Sequence, residues 1–461
     1  MEAIGKTNYT QQLATFCSSI KFEDLPSEVI HKAKLCVLDY VANVYGSLEL
    51  SAVEKVVTYI RSLGTCGNAS VMGCDFKTDI HNAAFINGTT GEAIEAQDGV
   101  RFGGNHPGVS VISAAFAIAQ DQNLGGKQFI EAIVAGYEAA NRVAAAMHPW
   151  HTLGGFLPTG TCGTFGAAAA AGRLQHFDSA TMASAFGNAG FLLPVSTAEN
   201  LMGGFTIKIV QGGQSASSGI MAAGLAKNGV TGAPYIIEGS ALNGGFAKIT
   251  TAADPTLERL TQNLGSPYSI MDVYFKPYTA CRHTHGAAQA TLAICRENEF
   301  ALGDIESVTV FSYGIAELAV GKGVDADYSF VAAQFSIPYV VAVCLMDGEL
   351  GPAQLTENRL KDQYLMALSK RVVVKTDEAL NQAYPEKTSS RVEILFKNKP
   401  RITQQVDIPK GDPRDPMDAH DILEKIYRFA PARTREKINT ISTGILKIEE
   451  IENIQDLAGR I

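Results

Sequence analysis

The stretch GTFGAAAAAGRL, residues 163–174, constrains the fold more than any other part of the chain. If this stretch is a helix, its side chains are small on every face, so neighbouring helices can approach its backbone closely. Larger residues would not fit between helices packed in this way. We therefore predict a helix that is buried at the centre of a helical bundle.

Most of the chain up to about residue 265 has the periodicity of helices. Apolar residues recur at three- and four-residue spacing in segments such as SEVIHKAKLCVLDYVANVYGS and GKQFIEAIVAGYEAANRVAAAM. From about residue 266 the pattern changes to the strand-like segments SVTVFSYGI, RVVVKT and RVEILFKNKPRITQQVDI. The last of these contains an NKP turn and predicts a hairpin. Helical stretches separate the strands, which is typical of an α+β unit.

The tail that follows GDPRDPMD returns to the pattern of amphipathic helices, and we expect it to pack on the first domain. The sequence thus predicts a mostly α protein with an α+β second domain. The large helical domain is discontinuous and comprises residues 1–265 and 405–461, and the smaller α+β domain comprises residues 266–404.

Charge and cysteine usage exclude several classes of protein. The chain has 38 Lys and Arg against 47 Asp and Glu, a net charge of −9, which argues against a nucleic-acid partner. No window approaches the roughly 18 apolar residues of a membrane span, and the first residues do not resemble a signal peptide. The 8 Cys form no C-x-x-C pair. We expect a cytoplasmic protein with reduced thiols that does not associate with a membrane.

Common cofactor motifs are absent from the sequence. There is no G-x-G-x-x-G after a strand, no G-x-x-x-x-G-K-[ST], no G-x-S-x-G and no H-E-x-x-H. This disfavours nicotinamide, nucleoside triphosphate and serine-hydrolase chemistry. His283 and His285 are two residues apart and have no companion carboxylates or thiols at zinc spacing, so we predict no metal site.

Polar residues nevertheless occur in unusual places. In GEAIEAQDGVRFGGNHPG, Asp98 precedes a glycine-rich loop, and His106 comes directly before Pro107 at the start of an apolar helix. The local backbone can hold such an imidazole, and the helix amino end favours its neutral form, which can act as a base. The alternative is an ordinary loop carboxylate and a surface histidine.

Two further segments carry cations into apolar surroundings. Lys208 precedes GGQSASSG, where its ammonium either caps a carbonyl or binds an anion; the alternative is an ordinary surface lysine. The segment YFKPYTACRHTH gathers Lys276, Tyr278, Cys281, Arg282, His283 and His285. Clustered cations repel one another, so an anionic ligand would stabilise the segment; the alternative is a solvated basic turn. We expect the nearby cations to lower the pKa of the Cys281 thiol.

Several of these segments together resemble the MmgE/PrpD family in order and spacing. They are GEAIEAQDG and NHPG, GGFLPTGTCGTFGAAAAAGRL, GGQSASSGIMAAGLAKNGVTGAP after Lys208, FKPYTACRHTH, FSIPYVVAVCLMDG and GDPRDPMDAHDILEKI. The family includes 2-methylcitrate dehydratase, cis-aconitate decarboxylase and iminodisuccinate epimerase. The resemblance implies a helical domain and an α+β lid domain with the active site in the cleft between them. It also implies a homodimer, a small anionic metabolite as substrate, and no metal or organic cofactor.

The resemblance also implies the site residues. The catalytic positions that match are Asp98, His106, Lys208, Lys276 and His285. We predict that His106, oriented by Asp98, moves the proton, while the two lysines attract substrate carboxylates and His285 acts from the opposite wall. The predicted substrate-binding residues are Arg282 as a carboxylate clamp, Tyr278, Cys281 and Gln211, with Cys281 as a further possible acid or base.

The chain departs from the family at three places. Members that eliminate or decarboxylate usually have a His where this chain has Leu157, and a His where it reads Gln211-Gly212. The usual double Asp is reduced to Asp98 after Gln97. Inversion at one carbon needs no leaving-group acid, so we favour an epimerase or isomerase of a succinate-like amino or imino dicarboxylate. The alternatives are a dehydratase, a decarboxylase and a catalytically inactive dicarboxylate-binding paralogue.

Overall fold

The computed structural model describes residues 8–324, 329–459 and 461. The α-helices before residue 265 are α1 (Tyr9–Ser19), α2 (Ser27–Ser47), α3 (Ser51–Ser62), α4 (Ile80–Ala93), α5 (Pro107–Asp121), α6 (Gly126–Met147), α7 (Trp150–Leu153), α8 (Pro158–Leu174), α9 (Ser179–Leu192), α10 (Glu199–Met202), α11 (Gln211–Lys227) and α12 (Phe246–Ile249). Those of the α+β part are α13 (His285–Glu297), α14 (Gly314–Val320), α15 (Phe330–Gln334), α16 (Ile337–Asp347), α17 (Glu357–Leu360), α18 (Gln363–Ser369) and α19 (Glu378–Gln382). The tail contains α20 (Ala419–Phe429), α21 (Arg435–Leu446) and α22 (Ile454–Ala458). The strands are β1 (Ala69–Ser70), β2 (Lys77–Thr78), β3 (Gly99–Val100), β4 (Val273–Tyr274), β5 (Ile305–Ser312), β6 (Val372–Thr376), β7 (Ser390–Phe396) and β8 (Ile402–Val406).

Helix α8 lies at the centre of the helical part, as its small side chains predict. All of its residues are buried, and it packs most extensively against α6 and α11. A Cβ added at Gly166 would lie 2.7 Å from the Cβ of Ala140 and 2.8 Å from the carbonyl oxygen of Gly136. Only glycine permits this approach of α8 to α6. The prediction of a buried central helix is therefore confirmed.

The α+β part contains a four-stranded sheet in the order β6-β5-β7-β8. Strands β5 and β6 are parallel, whereas β7 is antiparallel to both β5 and β8. The hairpin β7-β8 is the one that the NKP turn predicts. Along β5, Ile305, Val308 and Val310 are buried in a second hydrophobic core. Helix α13 packs against β7 and β8, and α16 packs against α13 and β6.

The two hydrophobic cores show how the chain is divided. The first contains apolar residues from Leu13 to Phe275 and returns with Met417 in the tail, where α20 packs on α2. The second contains most of the buried apolar residues between Ala280 and Phe396, together with a few from the helical part, among them Ile94 and Ile209. The protein is therefore mostly helical with a smaller α+β part. The domain boundaries at residues 265 and 405 stay a prediction.

Short strands bring distant segments together beside the second core. Strand β3 pairs antiparallel with β4, and this places the loop around Asp98 next to the segment that begins at Lys276. No helix in the described residues is long and apolar enough to cross a membrane. The cytoplasmic location stays a prediction.

Candidate active site

Two carboxylates and two lysines meet where α4 ends. The ammonium of Lys208, in a 3-10 segment at Thr206–Val210, lies 3.0 Å from Oε1 of Glu92 and also contacts Oε2 of Glu95. The ammonium of Lys276 lies 2.7 Å from Oε1 of Glu95. All four side chains are at most 2% exposed. They form one buried charge cluster, built from three segments that are distant along the chain.

The electrostatics of this cluster follow from its contacts. Burial alone would raise the pKa of Glu95, but the ammonium groups of Lys208 and Lys276 outweigh burial and hold this pKa well below its usual value. The pKa of Glu92 is raised, because burial exceeds the effect of Lys208. Burial would lower the pKa of Lys208, yet the two carboxylates raise it above its ordinary value. Glu95 is thus a carboxylate at neutral pH, and Lys208 is an ammonium.

The backbone that carries Glu95 is unusual. Glu95 has φ of +56°, a left-handed conformation that a residue with a long side chain seldom adopts. Such a conformation costs on the order of 1–3 kcal/mol and persists only when its surroundings hold it. Side chains from distant segments bind the carbonyl oxygens of this loop: Gln334 binds that of Ala93 (2.8 Å), Lys276 that of Glu95 (3.1 Å), Lys425 that of Ala96 (2.8 Å) and His106 that of Asp98 (2.5 Å).

The ring of His106 is held as the neutral base. A carbonyl oxygen only accepts hydrogen bonds, so Nδ1 donates to the Asp98 carbonyl, and Nε2 keeps its lone pair in the neutral ring. This Nε2 lies 3.8 Å from Oε1 of Glu95. Burial, and then the ammonium of Lys276, lower the pKa of His106 to about 3. A bound substrate carboxylate would raise this pKa, because it would offset the ammonium.

The carboxylate of Asp98 points away from His106. Its Oδ2 accepts a 2.6 Å hydrogen bond from the Tyr137 hydroxyl, and its Oδ1 accepts one of 3.1 Å from the Gly108 amide. Asp98 therefore orients His106 through its backbone carbonyl and not through its side chain. Burial raises the pKa of the Asp98 carboxyl to about 6. Its catalytic assignment stays a prediction.

The raised pKa of Asp98 predicts a stability effect of known sign. Between about pH 4 and pH 6 the folded chain keeps a proton that the unfolded chain has lost, so this group makes the protein less stable as the pH rises through the window. Asp98→Asn has no ionisable group at this position, so its stability does not fall with pH for this reason. We expect the free energy of unfolding of the variant, relative to wild type, to rise by up to about 3 kcal/mol from pH 4 to pH 7. Urea denaturation at both pH values measures the difference, and a difference that does not change with pH would contradict the assignment.

Cys281 and Tyr274 extend the cluster on the side of the α+β part. Burial, and then the charge of Glu95, raise the pKa of the Cys281 thiol to about 11, although Lys276 partly offsets this. The expectation that nearby cations lower this pKa is wrong, because burial outweighs them; Cys281 is a thiol at neutral pH. A Cβ at Gly99 would lie 2.5 Å from the Tyr274 hydroxyl and 2.9 Å from Nδ1 of His106, so this ring and hydroxyl approach each other across glycine.

The remaining residues of the basic segment bind groups of the protein itself. The guanidinium of Arg282 donates to the carbonyl oxygens of Pro409 (2.7 Å) and Lys410 (2.8 Å). Nδ1 of His283 lies 2.6 Å from the Tyr313 hydroxyl. The protein itself thus supplies the hydrogen-bond partners of these side chains: backbone carbonyls for Arg282 and a tyrosine hydroxyl for His283. Arg282 has fewer donors left for a substrate carboxylate, and its role as a clamp stays a prediction.

His285 and Tyr278 lie together in the α+β part. Nε2 of His285 donates to the Ala280 carbonyl at 3.0 Å, and its ring centroid is 5.3 Å from that of Tyr278. Nδ1 of His285 is buried and has no hydrogen-bond partner in the described part of the chain. Burial lowers the pKa of His285 well below its usual value, with Arg282 and Lys276 adding to the effect. No contact joins its ring to Glu95 or His106 in the described residues, and its catalytic role stays a prediction.

Gln211 is part of the charge cluster. Its Nε2 donates to Oε1 of Glu92 at 2.5 Å, and its Oε1 accepts a 3.0 Å hydrogen bond from the Ser196 hydroxyl. The amide of Gly212, at the start of α11, donates to the other oxygen of Glu92. Gln211 therefore orients Glu92. A contact of Gln211 with the substrate stays a prediction.

Three residues of the site are absent from the predicted set: Glu92, Glu95 and Tyr274. A signal for the two glutamates was present, since they lie three residues apart in IHNAAFINGTTGEAIEA, a helix with no solvated face to accommodate them. Such carboxylates need cationic partners when buried. Nothing in the sequence around Tyr274 indicates its approach to His106, because pairing of β3 with β4 creates it.

In the part of the chain that the structure describes, no group of three or more His, Cys, Asp or Glu side chains could hold a metal ion.

Comparison with known proteins gives matches along nearly the whole chain. The family model of the MmgE/PrpD N-terminal domain matches residues 11–258, and that of the MmgE/PrpD C-terminal domain matches residues 278–444. A cis-aconitate decarboxylase of Aspergillus terreus (strain NIH 2624 / FGSC A1156) is 26% identical, with 98% of this chain and 96% of that protein covered. The cis-aconitate decarboxylase-like protein oryM of Aspergillus oryzae (strain ATCC 42149 / RIB 40) is 24% identical, with 98% and 97% covered.

Proposed function

Because this chain belongs to the MmgE/PrpD family, we propose that it is a cofactor-independent enzyme that moves a proton at the carbon next to a carboxylate. The family membership confirms the resemblance seen in the sequence. Within this chemistry, we propose an epimerase or isomerase of a succinate-like amino or imino dicarboxylate. The observation that supports it is the imidazole of His106, whose Nδ1 is held by the Asp98 carbonyl and whose Nε2 lies 3.8 Å from the Glu95 carboxylate that also binds Lys276. We propose Cys281 as the acid.

Epimerisation requires a base and an acid on opposite faces of one carbon. Nε2 of His106 removes the proton, and the electron pair of the broken C–H bond moves onto the substrate carboxylate. The ammonium groups of Lys208 and Lys276 stabilise the negative charge that develops there. The thiol of Cys281 then donates its proton to the other face and becomes a thiolate. After the product leaves, the imidazolium loses its proton to water and the thiolate takes one up from water, which restores the imidazole and the thiol.

The site lacks a further acid at the place where lyases of the family usually have one. Leu157 precedes α8 as its N-cap residue and carries no group that transfers protons. Dehydration needs such an acid to protonate the departing hydroxyl group, whereas inversion does not. This difference favours the epimerase over the dehydratase.

A decarboxylase is the second candidate, and the relatives favour it. Two proteins at 26% and 24% identity are named as a cis-aconitate decarboxylase and a protein like it, and both are covered almost completely. In such a reaction, loss of carbon dioxide would leave the carbanion, and the thiol of Cys281 would protonate it. A catalytically inactive paralogue that binds dicarboxylates is the remaining alternative.

Incubation in deuterium oxide distinguishes these candidates. With single enantiomers of aspartate and related amino and imino dicarboxylates, we expect deuterium to enter the α-carbon with inversion, as NMR and chiral chromatography detect. Cys281→Ala should stop inversion, while exchange continues for the enantiomer whose proton faces His106. Carbon dioxide release from cis-aconitate would instead support the decarboxylase. Absence of all turnover, with binding retained, would support the inactive paralogue.

We also propose that the chain forms a homodimer. Large apolar side chains are exposed within one stretch of the chain: Phe191 (88%), Val195 (63%), Met202 (54%), Phe205 (62%) and Ile207 (57%). Exposed apolar residues in such number are typical of surfaces that another chain covers. Light scattering should give twice the 49.1 kDa of one chain, and the mass of a monomer would contradict the proposal.

A further inference from the structure

We infer that Glu95 determines substrate specificity by limiting the negative charge that the site accepts, so that the site takes an amino dicarboxylate in preference to a tricarboxylate. The inference rests on the proposed function for the position of the site, and it deepens that function by naming the substrate class. It follows from the contacts of the charged groups and from one buried amide oxygen.

The cationic groups of the site are already matched by carboxylates. Lys208 is within hydrogen-bond distance of both Glu92 and Glu95, and Lys276 is 2.7 Å from Glu95. Glu95, a carboxylate at neutral pH, thus contacts both ammonium groups, Glu92 is a second acidic partner of Lys208, and His106 adds no charge when neutral. The cluster therefore has less net positive charge with which to bind an anion than two unpaired lysines would have.

A tricarboxylate that enters this site would therefore find too few cationic groups to pair with most of its negative charge. Moving ions out of water costs several kcal/mol for each ion, and only opposite charges and hydrogen bonds offset this. An amino dicarboxylate has two carboxylates and one ammonium, so its net charge at neutral pH is only one negative charge. Like the cluster, it combines groups of both signs. Its carboxylates match Lys208 and Lys276, and its ammonium matches the Glu95 carboxylate between them.

Gln97 supplies a second, independent indication of a nitrogen donor. Its Nε2 lies 3.4 Å from Oε2 of Glu95. A carboxylate only accepts hydrogen bonds, so the amide nitrogen of Gln97, and not its amide oxygen, is the atom that contacts Glu95. This oxygen is buried and has no hydrogen-bond partner in the described residues. Buried acceptors are normally satisfied, and an N–H group of the substrate would satisfy this one.

Calorimetric titration of the full-length protein tests the inference. The probes are L- and D-aspartate, cis-aconitate, and 2-methylsuccinate, in which a methyl group replaces the ammonium of aspartate. We expect an enantiomer of aspartate to bind at least about tenfold more tightly than either other acid, which corresponds to about 1.4 kcal/mol. Equal or tighter binding of cis-aconitate or 2-methylsuccinate would overturn the inference, whatever the behaviour of any variant.

Glu95→Gln is the variant that isolates the effect, because it keeps the shape of the side chain and removes one negative charge. We expect its preference to shift by at least about tenfold toward cis-aconitate. Glu131→Gln is the matched control: it removes one charge from a buried ion pair with Arg173 (2.5 Å), remote from the site, and should leave the order of affinities unchanged. An unchanged ratio of the two affinities in a folded Glu95→Gln would overturn the role of Glu95.

Failure of the inference is distinguishable from failure of the proposed function. Titration measures binding alone, and deuterium exchange measures turnover. If the protein prefers aspartate in titration but catalyses no deuterium exchange, the inference about Glu95 stands and the proposed epimerase activity is wrong. If the protein catalyses deuterium exchange but binds cis-aconitate most tightly, the proposed proton transfer stands and the inference about Glu95 is wrong.

Discussion

Replacement of His106 by asparagine should lower the rate of proton transfer by about 10²- to 10⁴-fold, the range expected on loss of a general base. His106 lies beside the cluster and has a free lone pair on Nε2, because its Nδ1 donates to the Asp98 carbonyl. Asparagine keeps the polarity of the side chain but cannot take up a proton. Deuterium incorporation into the substrate measures the loss.

The control is the same substitution at another histidine. His81, at the start of α4, is partly buried, and its Nδ1 lies 3.3 Å from the Ser217 carbonyl oxygen. His81→Asn should stay within about threefold of wild type, since no proton transfer is assigned to it. A His106→Asn variant that is folded and reacts at nearly the rate of wild type would remove His106 from the role of base.

Replacement of Lys208 by methionine should lower the free energy of unfolding by about 3–5 kcal/mol, the usual loss when one partner of a buried ion pair is removed. The variant would leave Glu92 and Glu95 buried without the ammonium that they share. Their mutual repulsion and the loss of solvation then act on the folded state alone. Urea denaturation at neutral pH, followed by circular dichroism, measures the change.

Two comparisons make this prediction specific. Lys387→Met breaks a 3.0 Å pair with Asp407 whose side chains are 48% and 40% exposed, and it should cost at most about 1 kcal/mol. The loss in Lys208→Met should also be smaller at pH 5 than at pH 7, because an unpaired buried carboxylate takes up a proton more readily as the pH falls. A loss near that of the surface pair would show that Lys208 does not stabilise the two carboxylates.

Much of the fold follows from local sequence patterns. The small residues of α8 indicate a central helix, because only small side chains fit between closely packed helices. The NKP turn between β-branched segments indicates the hairpin β7-β8, because turn residues and alternation act over a few neighbouring positions. The strands β1, β2, β3 and β4 have two residues each and are too short to give such a pattern.

The candidate site shows the limit of local patterns. The sequence indicates that His106 lies at the start of a helix and that Lys208 lies among small residues, and the structure places both next to Glu95. It does not indicate that Glu95 offsets two lysines, or that Arg282 donates to the carbonyls at 409 and 410. These contacts join residues that are distant along the chain.

The sequence by itself determined the family, the mostly helical architecture with its α+β part, and which ionisable groups were available. Tertiary structure alone decided the charge state and partners of those groups. Cys281 illustrates the difference: its neighbours along the chain are cationic, yet burial raises its pKa to about 11. The physical reason is that solvation and Coulomb energies depend on distances and burial in space, whereas helix and strand patterns depend on residues that are adjacent along the chain.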